Sequence, residues 1–167
     1  MGEPAMSVDH SDDLCGGLKD AMRRLASAVA VVSARSRDGG AVGMAATSVT
    51  SLSMSPPSLL VCVNRQTGIH PSLFIGAKFN VNLLGHQHRD VASAFGSSLA
   101  RELRFGVGQW VDDIQGLPAL ADAQAVVGCE VDRLVTYGTH SIVIGAVREV
   151  RVSGEVQPLI YQDGRYL

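Results

Sequence analysis

Extended segments dominate the pattern of apolar and polar positions along this chain. Valines recur within residues 28–34, and residues 59–63 are short and wholly apolar. Between them lie the turn sequence Asp-Gly-Gly at 38–40 and two consecutive prolines at 56 and 57. β-Branched residues favour extended backbone, and proline cannot donate to a strand ladder. We therefore predict a hairpin whose second strand ends at the two prolines and is followed by a third, buried strand.

Four further segments have the pattern of strands, at 78–84, 123–137, 141–152 and 159–161. Few helical segments separate them, whereas parallel strands need long crossover connections that are usually helices. The order therefore favours a mainly β fold with flanking helices, in which a mostly antiparallel sheet closes into a barrel.

Helical periodicity is confined to shorter segments. Ser11 followed by two aspartates is a helix-start signal, and apolar residues recur after it at spacings of three and four, at Leu14, Leu18, Met22 and Leu25. This pattern predicts an amphipathic helix to about residue 26 whose apolar face packs on the domain. Shorter helices are predicted at 70–76 and 87–95.

The segment 43–57 combines small residues, six hydroxyl side chains and no charge. Hydroxyls both donate and accept hydrogen bonds, which suits the neutral edge of a heteroaromatic ligand. A solvated edge strand has the same composition, because serine and threonine mostly face water. The segment alone leaves both interpretations open. Its hydroxyl residues are Thr47, Ser48, Thr50, Ser51, Ser53 and Ser55.

Length and composition are those of one compact domain. The 167 residues carry a net charge of −2 and no basic stripe with interleaved aromatic residues, which argues against nucleic acid as a partner. The three cysteines are odd in number and widely separated, which indicates a reducing compartment, and no apolar run has the length of a membrane span. We expect a cytoplasmic protein with a flexible segment at 1–12 and one domain at 13–167.

Familiar catalytic and nucleotide-binding motifs are missing from the sequence. It has no P-loop, no Rossmann fingerprint, no Gly-x-Ser-x-Gly elbow, no His-Glu-x-x-His and no Cys-x-x-Cys. His86 and His88 form a pair, but a metal site needs three or four converging ligands, so we predict no metal site. Nucleotide binding, if present, must use another kind of fold.

Two loops carry candidate ligand-binding residues. Asn64, Arg65 and Thr67 follow the short buried strand, where a guanidinium fork beside neutral donors can hold a phosphate. His140 stands in a glycine-led turn between two strands, an exposed position where a ligand can be met. Taken singly, each of these residues is more often simply solvated.

Taken together, these segments resemble the small flavin reductases that supply reduced flavin to two-component monooxygenases. The resemblance extends from Leu18 to Leu167, and the order and spacing of its motifs are more specific than any one of them. Its carriers are residues 22–26 with the following valines, Gly43-Met44, Ser53-Met54-Ser55-Pro56-Pro57, Asn64-Arg65, residues 79–84, Arg104-Phe105, His140 with Gly145, and Gly164-Arg165-Tyr166.

The resemblance implies a split β-barrel, Greek-key-like and of the FMN-binding type, that forms a homodimer. It implies FMN or FAD as the flavin, NADH or NADPH as the hydride donor, and a catalytic-site position for His140 near the nicotinamide. The flavin-binding and nucleotide-binding positions that it implies are Ala46, Thr47, Ser48, Ser51, Asn64, Arg65, Thr67, Asn82, Arg104, Phe105 and Tyr166.

Three positions depart from the pattern of these relatives. Many have an aromatic residue where this chain has Val49 and an acidic residue where it has Ser55. An aspartate often precedes the turn histidine, where this chain has Thr139. The contribution of that carboxylate to orienting the histidine or a ribose must therefore come from elsewhere or be lost.

The function expected from this resemblance is an NAD(P)H:flavin oxidoreductase that supplies reduced flavin to a partner monooxygenase. Hydride transfer between two cofactors needs orientation rather than a general base, which fits an uncharged hydroxyl segment. Two alternatives stay open. One is a non-catalytic flavin-binding electron-transfer protein, and the other is a flavoprotein that reduces a bound substrate such as a corrin.

Overall fold

The computed structural model describes residues 10–167, and in it strands far outnumber helices. The α-helices are α1 (His10–Met22), α2 (Arg89–Gly96) and α3 (Arg101–Arg104), and single 3-10 turns occupy His70–Ser72 and His86–His88. The strands are β1 (Ser27–Ala28), β2 (Ala30–Arg35), β3 (Ala41–Ala46), β4 (Thr50–Met54), β5 (Pro57–Asn64), β6 (Lys78–Leu83), β7 (Trp110–Asp112), β8 (Pro118–Leu120), β9 (Ala125–Tyr137), β10 (His140–Val152), β11 (Ile160–Gln162) and β12 (Arg165–Tyr166).

Seven strands form the main sheet in the order β3-β2-β6-β9-β10-β5-β4, and every pairing in it is antiparallel. Strands β3 and β4 are its two edges, yet only residues 47–49 join them. A flat sheet of seven strands is about 29 Å wide, whereas the link spans at most about 14 Å. The sheet must therefore curl until its edges meet, which confirms the predicted antiparallel barrel.

Two apolar clusters account for the buried side chains. The barrel interior holds inward-facing residues such as Val32, Val61, Phe79 and Val143, all without exposed surface. A second cluster fills the space between the outer face of β2 and β6 and the covering elements α2, β8 and the segment around Leu159. Strand β2 is buried on both faces, which is why its sequence is an almost continuous apolar run.

Asn80 and Asn82 on β6 hold the 113–120 segment against the outer face of the sheet. The Asn80 Nδ2 donates to Asp113 Oδ2 at 2.8 Å. The Asn82 Nδ2 donates to the Val31 carbonyl and to Ser33 Oγ, and its Oδ1 accepts from the Leu120 amide at 2.9 Å. Both side chains are fully buried, and all of Asn82's amide atoms contribute to this anchor.

The predicted hairpin between β2 and β3 is confirmed, but its second strand is shorter than predicted. The segment 43–57 divides into the end of β3, the link 47–49 and β4, and the two strands lie at opposite edges of the sheet. At the break the Ser48 hydroxyl, rather than a backbone ladder, makes the next connection, to Cys62 on β5. The prolines lie between two strands as predicted: β4 ends at Met54, the Ser55–Pro56 peptide bond is cis, and β5 begins at Pro57.

The predicted packing of the first helix is wrong. Helix α1 begins at His10, close to the Ser11 signal, and ends at Met22, where the chain tightens into turn-like bonds. Its apolar residues face outward, with exposed fractions of 74% for Leu14, 63% for Leu18 and 51% for Met22. Periodicity defines an apolar face without saying what covers it, and here nothing else in the described part of the chain does.

The predicted flexible segment 1–12 lies mostly outside the described residues, since the description begins at residue 10, within α1. Among the residues that are described, no helix has the length and apolar character needed to cross a membrane.

Replacement of Asn82 by Ala is expected to lower the free energy of unfolding by about 3 kcal/mol, because buried groups on three other residues lose their partner. Chemical denaturation measures this change. Gln109→Ala, which removes an exposed amide, is the matched control and should change stability by less than about 0.5 kcal/mol. Equal stability of the two variants would contradict the anchoring role.

Candidate functional site

The link between β3 and β4 carries the first group of candidate residues. Ala46 ends β3 and is buried, Thr47 is exposed, and Ser48 is half-buried. The Ser48 hydroxyl donates to the Cys62 carbonyl at 3.0 Å and accepts from the Cys62 amide at 3.2 Å. Ser48 thus closes the barrel with its side chain, and the link presents the Thr47 hydroxyl to solvent.

Val49 and Ser51 follow in the same hydroxyl-rich segment. Val49 departs from the pattern of the relatives, and Ser51 is a predicted flavin-binding residue. Val49 turns inward and packs on the barrel core, which explains why an apolar residue stands there. Ser51 is exposed on the edge strand β4, opposite Leu59 of β5. Its hydroxyl is accessible to a ligand on that edge.

The end of β5 brings the second group together. Asn64 is paired with His140 across the ladder between β5 and β10, and the Arg65 amide donates to the Thr139 carbonyl at 2.9 Å. The Thr67 hydroxyl donates to the Asn64 carbonyl at 2.7 Å, which shapes the loop as a tight turn. Residues 76 positions apart in the sequence therefore share one corner of the barrel, which we call the Arg65 corner.

The Arg65 corner opens onto a cleft of about 440 Å³ lined by Arg65, Gln66, His70, Gly138 and Thr139. The Arg65 side chain is exposed, and no carboxylate of the described residues pairs with it. A guanidinium held at a fixed corner without a counter-charge is suited to binding a phosphate.

His140 is oriented by its neighbour. The Thr139 Oγ1 lies 2.8 Å from His140 Nδ1, so a neutral hydroxyl contacts the ring. The imidazole is exposed at the start of β10. Thr139 therefore orients the ring through a hydrogen bond that places no charge beside it.

The two groups lie at the same end of the barrel. Ser48 contacts β5 at Cys62, two residues before Asn64. Two residues of a strand cover roughly 7 Å, which is within the length of a tricyclic ring and its side chain. The exposed link and the Arg65 corner can therefore contact the two ends of one extended ligand that is neutral at the link and anionic at Arg65.

Tyr166 lies on the other side of the link. Its ring packs against Tyr161 with centroids 5.3 Å apart, and its hydroxyl approaches Gly96. Burial, and then the neighbouring Tyr161, raise the pKa of the Tyr166 phenol, which keeps it a neutral donor. Tyr161 is partly exposed and, together with Thr47, lines a cleft of about 360 Å³.

Two of the predicted ligand-binding residues, Asn82 and Arg104, make contacts within the fold. Asn82 is fully buried in the anchor described above, on the outer face of the sheet. Arg104 donates to the carbonyls of Leu99, Ser97 and Gly43. These contacts use all the amide atoms of Asn82 and three of the five N–H donors of Arg104, so both residues support the fold, and a role in ligand binding stays a prediction.

Phe105 belongs to an aromatic cluster. Its ring lies 4.9 Å from Phe95 and 5.0 Å from Trp110, in edge-to-face arrangements. The cluster packs behind β3, where Gly43 leaves room for Phe95. Phe105 thus supports the strand that carries Ala46 rather than lining the Arg65 corner.

His88 and Cys129 are buried outside the candidate site. His88 accepts from the Gly85 amide at its Nδ1 and contacts Asp122 through Nε2, so this buried imidazole ties two loops together. Burial raises the pKa of the Cys129 thiol to about 12, which keeps it protonated and unreactive.

Sequence reasoning missed His70 and Tyr161. The His70 Nε2 lies 3.0 Å from Ser141 Oγ, and this contact places the imidazole beside the Arg65 corner. The sequence around His70 does not predict this contact, because the two residues are 71 positions apart. Tyr161 precedes the turn at Asp163-Gly164, a pattern typical of a hairpin that would have placed it opposite Tyr166.

The chain is similar in sequence to known flavin reductases. Residues 22–167 match the family described as "Flavin reductase like domain". The chain is 38% identical over 162 residues to "FMN reductase (NADH) RutF 1" of Methylorubrum extorquens (strain PA1), covering 97% of this chain and 77% of the relative. It is 38% identical over 146 residues to the reductase component of the FADH(2)-dependent resorcinol hydroxylase of Rhizobium sp. (strain MTP-10005), covering 87% and 82%.

A solved structure has the same architecture. The Streptomyces globisporus C-1027 NADH:FAD oxidoreductase SgcE6, in complex with NAD and FAD fragments, superimposes with a TM-score of 0.84 at 28% identity, covering 98% of this chain and 96% of that one. The family match spans nearly all of the described chain, including both the link and the Arg65 corner. The chain belongs to the flavin reductase-like domain family.

Proposed function

We propose that this protein is an NAD(P)H:flavin oxidoreductase that transfers a hydride from NADH or NADPH to FMN or FAD. The observation that carries the proposal is the joint placement of the neutral link 46–48 and the Arg65 corner at one end of the barrel. The link is uncharged and the corner cationic, which matches the ring and the phosphate of a flavin. Curated relatives at 38% identity are named as an NADH-dependent FMN reductase and as a hydroxylase's reductase component.

A bound flavin supplies the hydride-accepting ring, and the residues of the chain hold it. Thr47 offers an exposed, uncharged side chain beside the ring, Ser51 offers another on edge strand β4, and Ala46, whose side chain is buried in the core, contributes through the position of its backbone. Asn64, Arg65 and Thr67 hold the phosphate, and Arg65 supplies the charge. The link closes the barrel independently of any ligand, so the surface is pre-organised.

His140 and Tyr166 stand on the two sides of the link, where the nicotinamide nucleotide must approach the ring. The His140 imidazole is exposed and held by Thr139, so it can donate to the amide or ribose of the nucleotide without acting as a base. No proton is removed from carbon in this reaction, and orientation of two stacked rings is the main requirement.

Reduced flavin leaves the site for a separate flavin-dependent monooxygenase. The reductase component of a resorcinol hydroxylase is among the similar proteins, which supports this role. The cytoplasm is the proposed location, since all three cysteines are free thiols and the hydride donor is a metabolic nucleotide.

A homodimer is the proposed assembly. Outward-facing residues of β5, β9 and β10 form two apolar rows that no element among the described residues covers: Leu60 with Ile144, and Cys62 with Ile142 and Val135. Val135 is 49% exposed. A two-fold axis through such rows would bury each against its copy.

The activity is tested by following loss of nicotinamide absorbance with each of NADH and NADPH crossed with FMN and FAD. Turnover that depends on added flavin is the expected result. Flavin binding without nucleotide oxidation in any combination would identify an electron-transfer protein instead. Turnover that requires a corrin would favour the alternative of a bound substrate.

Two variants at the Arg65 corner separate flavin binding from nucleotide binding. Arg65→Ala is expected to raise the Kd for FMN about 10-fold or more, through loss of a charge-assisted bond, with little change in melting temperature.

His140→Ala is expected to raise the KM for the nucleotide about 5-fold and to leave FMN affinity nearly intact. Fluorescence titration and steady-state kinetics measure the two effects. If Arg65→Ala instead raised the KM for the nucleotide and His140→Ala raised the Kd for FMN, Arg65 would belong to the nucleotide site and His140 to the flavin site.

The dimer is tested by placing a charge in the apolar rows. Ile142→Glu is expected to change the mass in solution from twice 17.6 kDa to the monomer value, measured by sedimentation. Val152→Glu is the control, because Val152 is on the same strand, 74% exposed and outside the rows. A monomeric native protein, or dissociation by both variants alike, would place the interface elsewhere or remove it.

A further inference from the structure

A cleft of about 240 Å³ lies on the outer face of the main sheet, between the strands β6, β9 and β10 and the segment 111–119 that covers them. We call it the Asn80 cleft, after the residue at its floor. Its Glu149 follows His140 by nine positions on β10, which is roughly 30 Å along a strand. The Asn80 cleft is therefore separate from the Arg65 corner.

The side-chain oxygen of Asn80 has no hydrogen-bond partner among the described residues, although this residue is fully buried. The amide nitrogen donates to Asp113 Oδ2 at 2.8 Å and to the Pro118 carbonyl at 3.2 Å. Both partners accept, so an exchange of the two amide atoms would place the oxygen against two other oxygens. The orientation is therefore fixed. A buried acceptor without a donor is exceptional in a folded protein, and a donor from outside the chain would satisfy it.

Space for such a donor lies above Gly128. Asn80 and Glu149 are the strand partners of Gly128 on its two sides, so the three residues form one row on the outer face. A β-carbon at Gly128 would lie 3.4 Å from Asn80 Oδ1, 3.4 Å from the Glu149 β-carbon and 3.7 Å from Gln115 Nε2, all ordinary contact distances. The row therefore has room for one heavy atom directly beside the unpaired oxygen.

The charge of the Asn80 cleft is negative. Three carboxylates line it against one guanidinium, that of Arg151, which donates to a backbone carbonyl. Asp112 pairs with a second guanidinium, that of Arg35, and this leaves one carboxylate in excess. Glu149 is half-buried, and no cation of the described residues lies within ion-pair distance of it. The ligand that this charge favours is a cation.

We propose that the Asn80 cleft binds a primary alkylammonium group, which donates to Asn80 Oδ1 in the space above Gly128 and faces the Glu149 carboxylate. An ammonium is compact and carries three donors, whereas a guanidinium is a planar fork several atoms wide and exceeds that space. The alkyl chain lies against the apolar rim, where Val111 and Ile114 are 48% and 87% exposed. Hydride transfer gives this cleft no role.

Titration with n-butylamine, which is an ammonium ion at neutral pH, tests the site. The amide signals of Gly128 and Ile114 in nuclear magnetic resonance spectra of the native protein are expected to shift and to saturate. n-Butanol has the same carbon chain without the charge and should bind about 10-fold more weakly, because a charge-assisted hydrogen bond is the stronger one. Equal binding of the two compounds, or no saturable shift with n-butylamine, would overturn the proposal.

Two variants locate the ammonium. Gly128→Ala places a methyl group in the space beside Asn80 Oδ1 without a steric clash and should weaken binding of n-butylamine about 10-fold or more. Glu149→Gln keeps the size of the side chain, removes its charge and should weaken binding about 5-fold. Glu155→Gln, at an exposed carboxylate outside the cleft, is the charge control and should bind as the native protein does.

Equal affinity of the native protein and either cleft variant would overturn the proposal and leave water as the partner of Asn80 Oδ1. The Glu149→Gln comparison alone decides the matter if Gly128→Ala does not fold. No flavin or nucleotide takes part in these titrations, so their outcome does not depend on the proposed function.

A free amine and a lysine side chain of another protein both present a primary ammonium. A lysine flanked by two glycines and blocked at both ends is the probe for the second source. Tighter binding of this peptide than of n-butylamine would support the site and identify a protein lysine as its ligand. Tighter binding of n-butylamine would support the site and identify a small free amine.

Discussion

Closure of the barrel by Ser48 is the interaction on which the site depends. One hydroxyl makes both a donor and an acceptor bond to the backbone of Cys62, and in doing so it ties the link that leaves edge strand β3 to β5, the neighbour of the other edge strand. The backbone ladder is interrupted there, so the link 47–49 is free to present Thr47 outward while Val49 packs inward. A surface for a flat ligand arises from the same break that completes the fold.

The charge near that surface lies at one end of it. The link itself is neutral, and Arg65 lies at one end of the link beside a cleft that it lines with Gln66, His70, Gly138 and Thr139. A flavin has a neutral ring system and an anionic phosphate, so this distribution of charge supports the proposed orientation of the flavin.

The departure at Thr139 shows how local geometry can substitute for charge. A threonine hydroxyl contacts His140 Nδ1 where many relatives have a carboxylate. The hydroxyl supplies a hydrogen bond that orients the ring without placing a charge beside it. In hydride transfer, where no general base is required, orientation is the part that matters.

The sequence by itself determined the strand-rich architecture, the hairpin turn at residues 38–40, the two prolines that end β4, and the family. These follow from local backbone preferences and from motif order, which act over a few residues. Only the tertiary structure decided that Asn64, Arg65 and His140 share one corner, that Asn82 and Arg104 support the fold, and that the apolar face of α1 lies exposed. An asparagine's amide has the same chemistry in a buried anchor as in a binding site, and contacts between residues distant along the chain exist only once the barrel has closed.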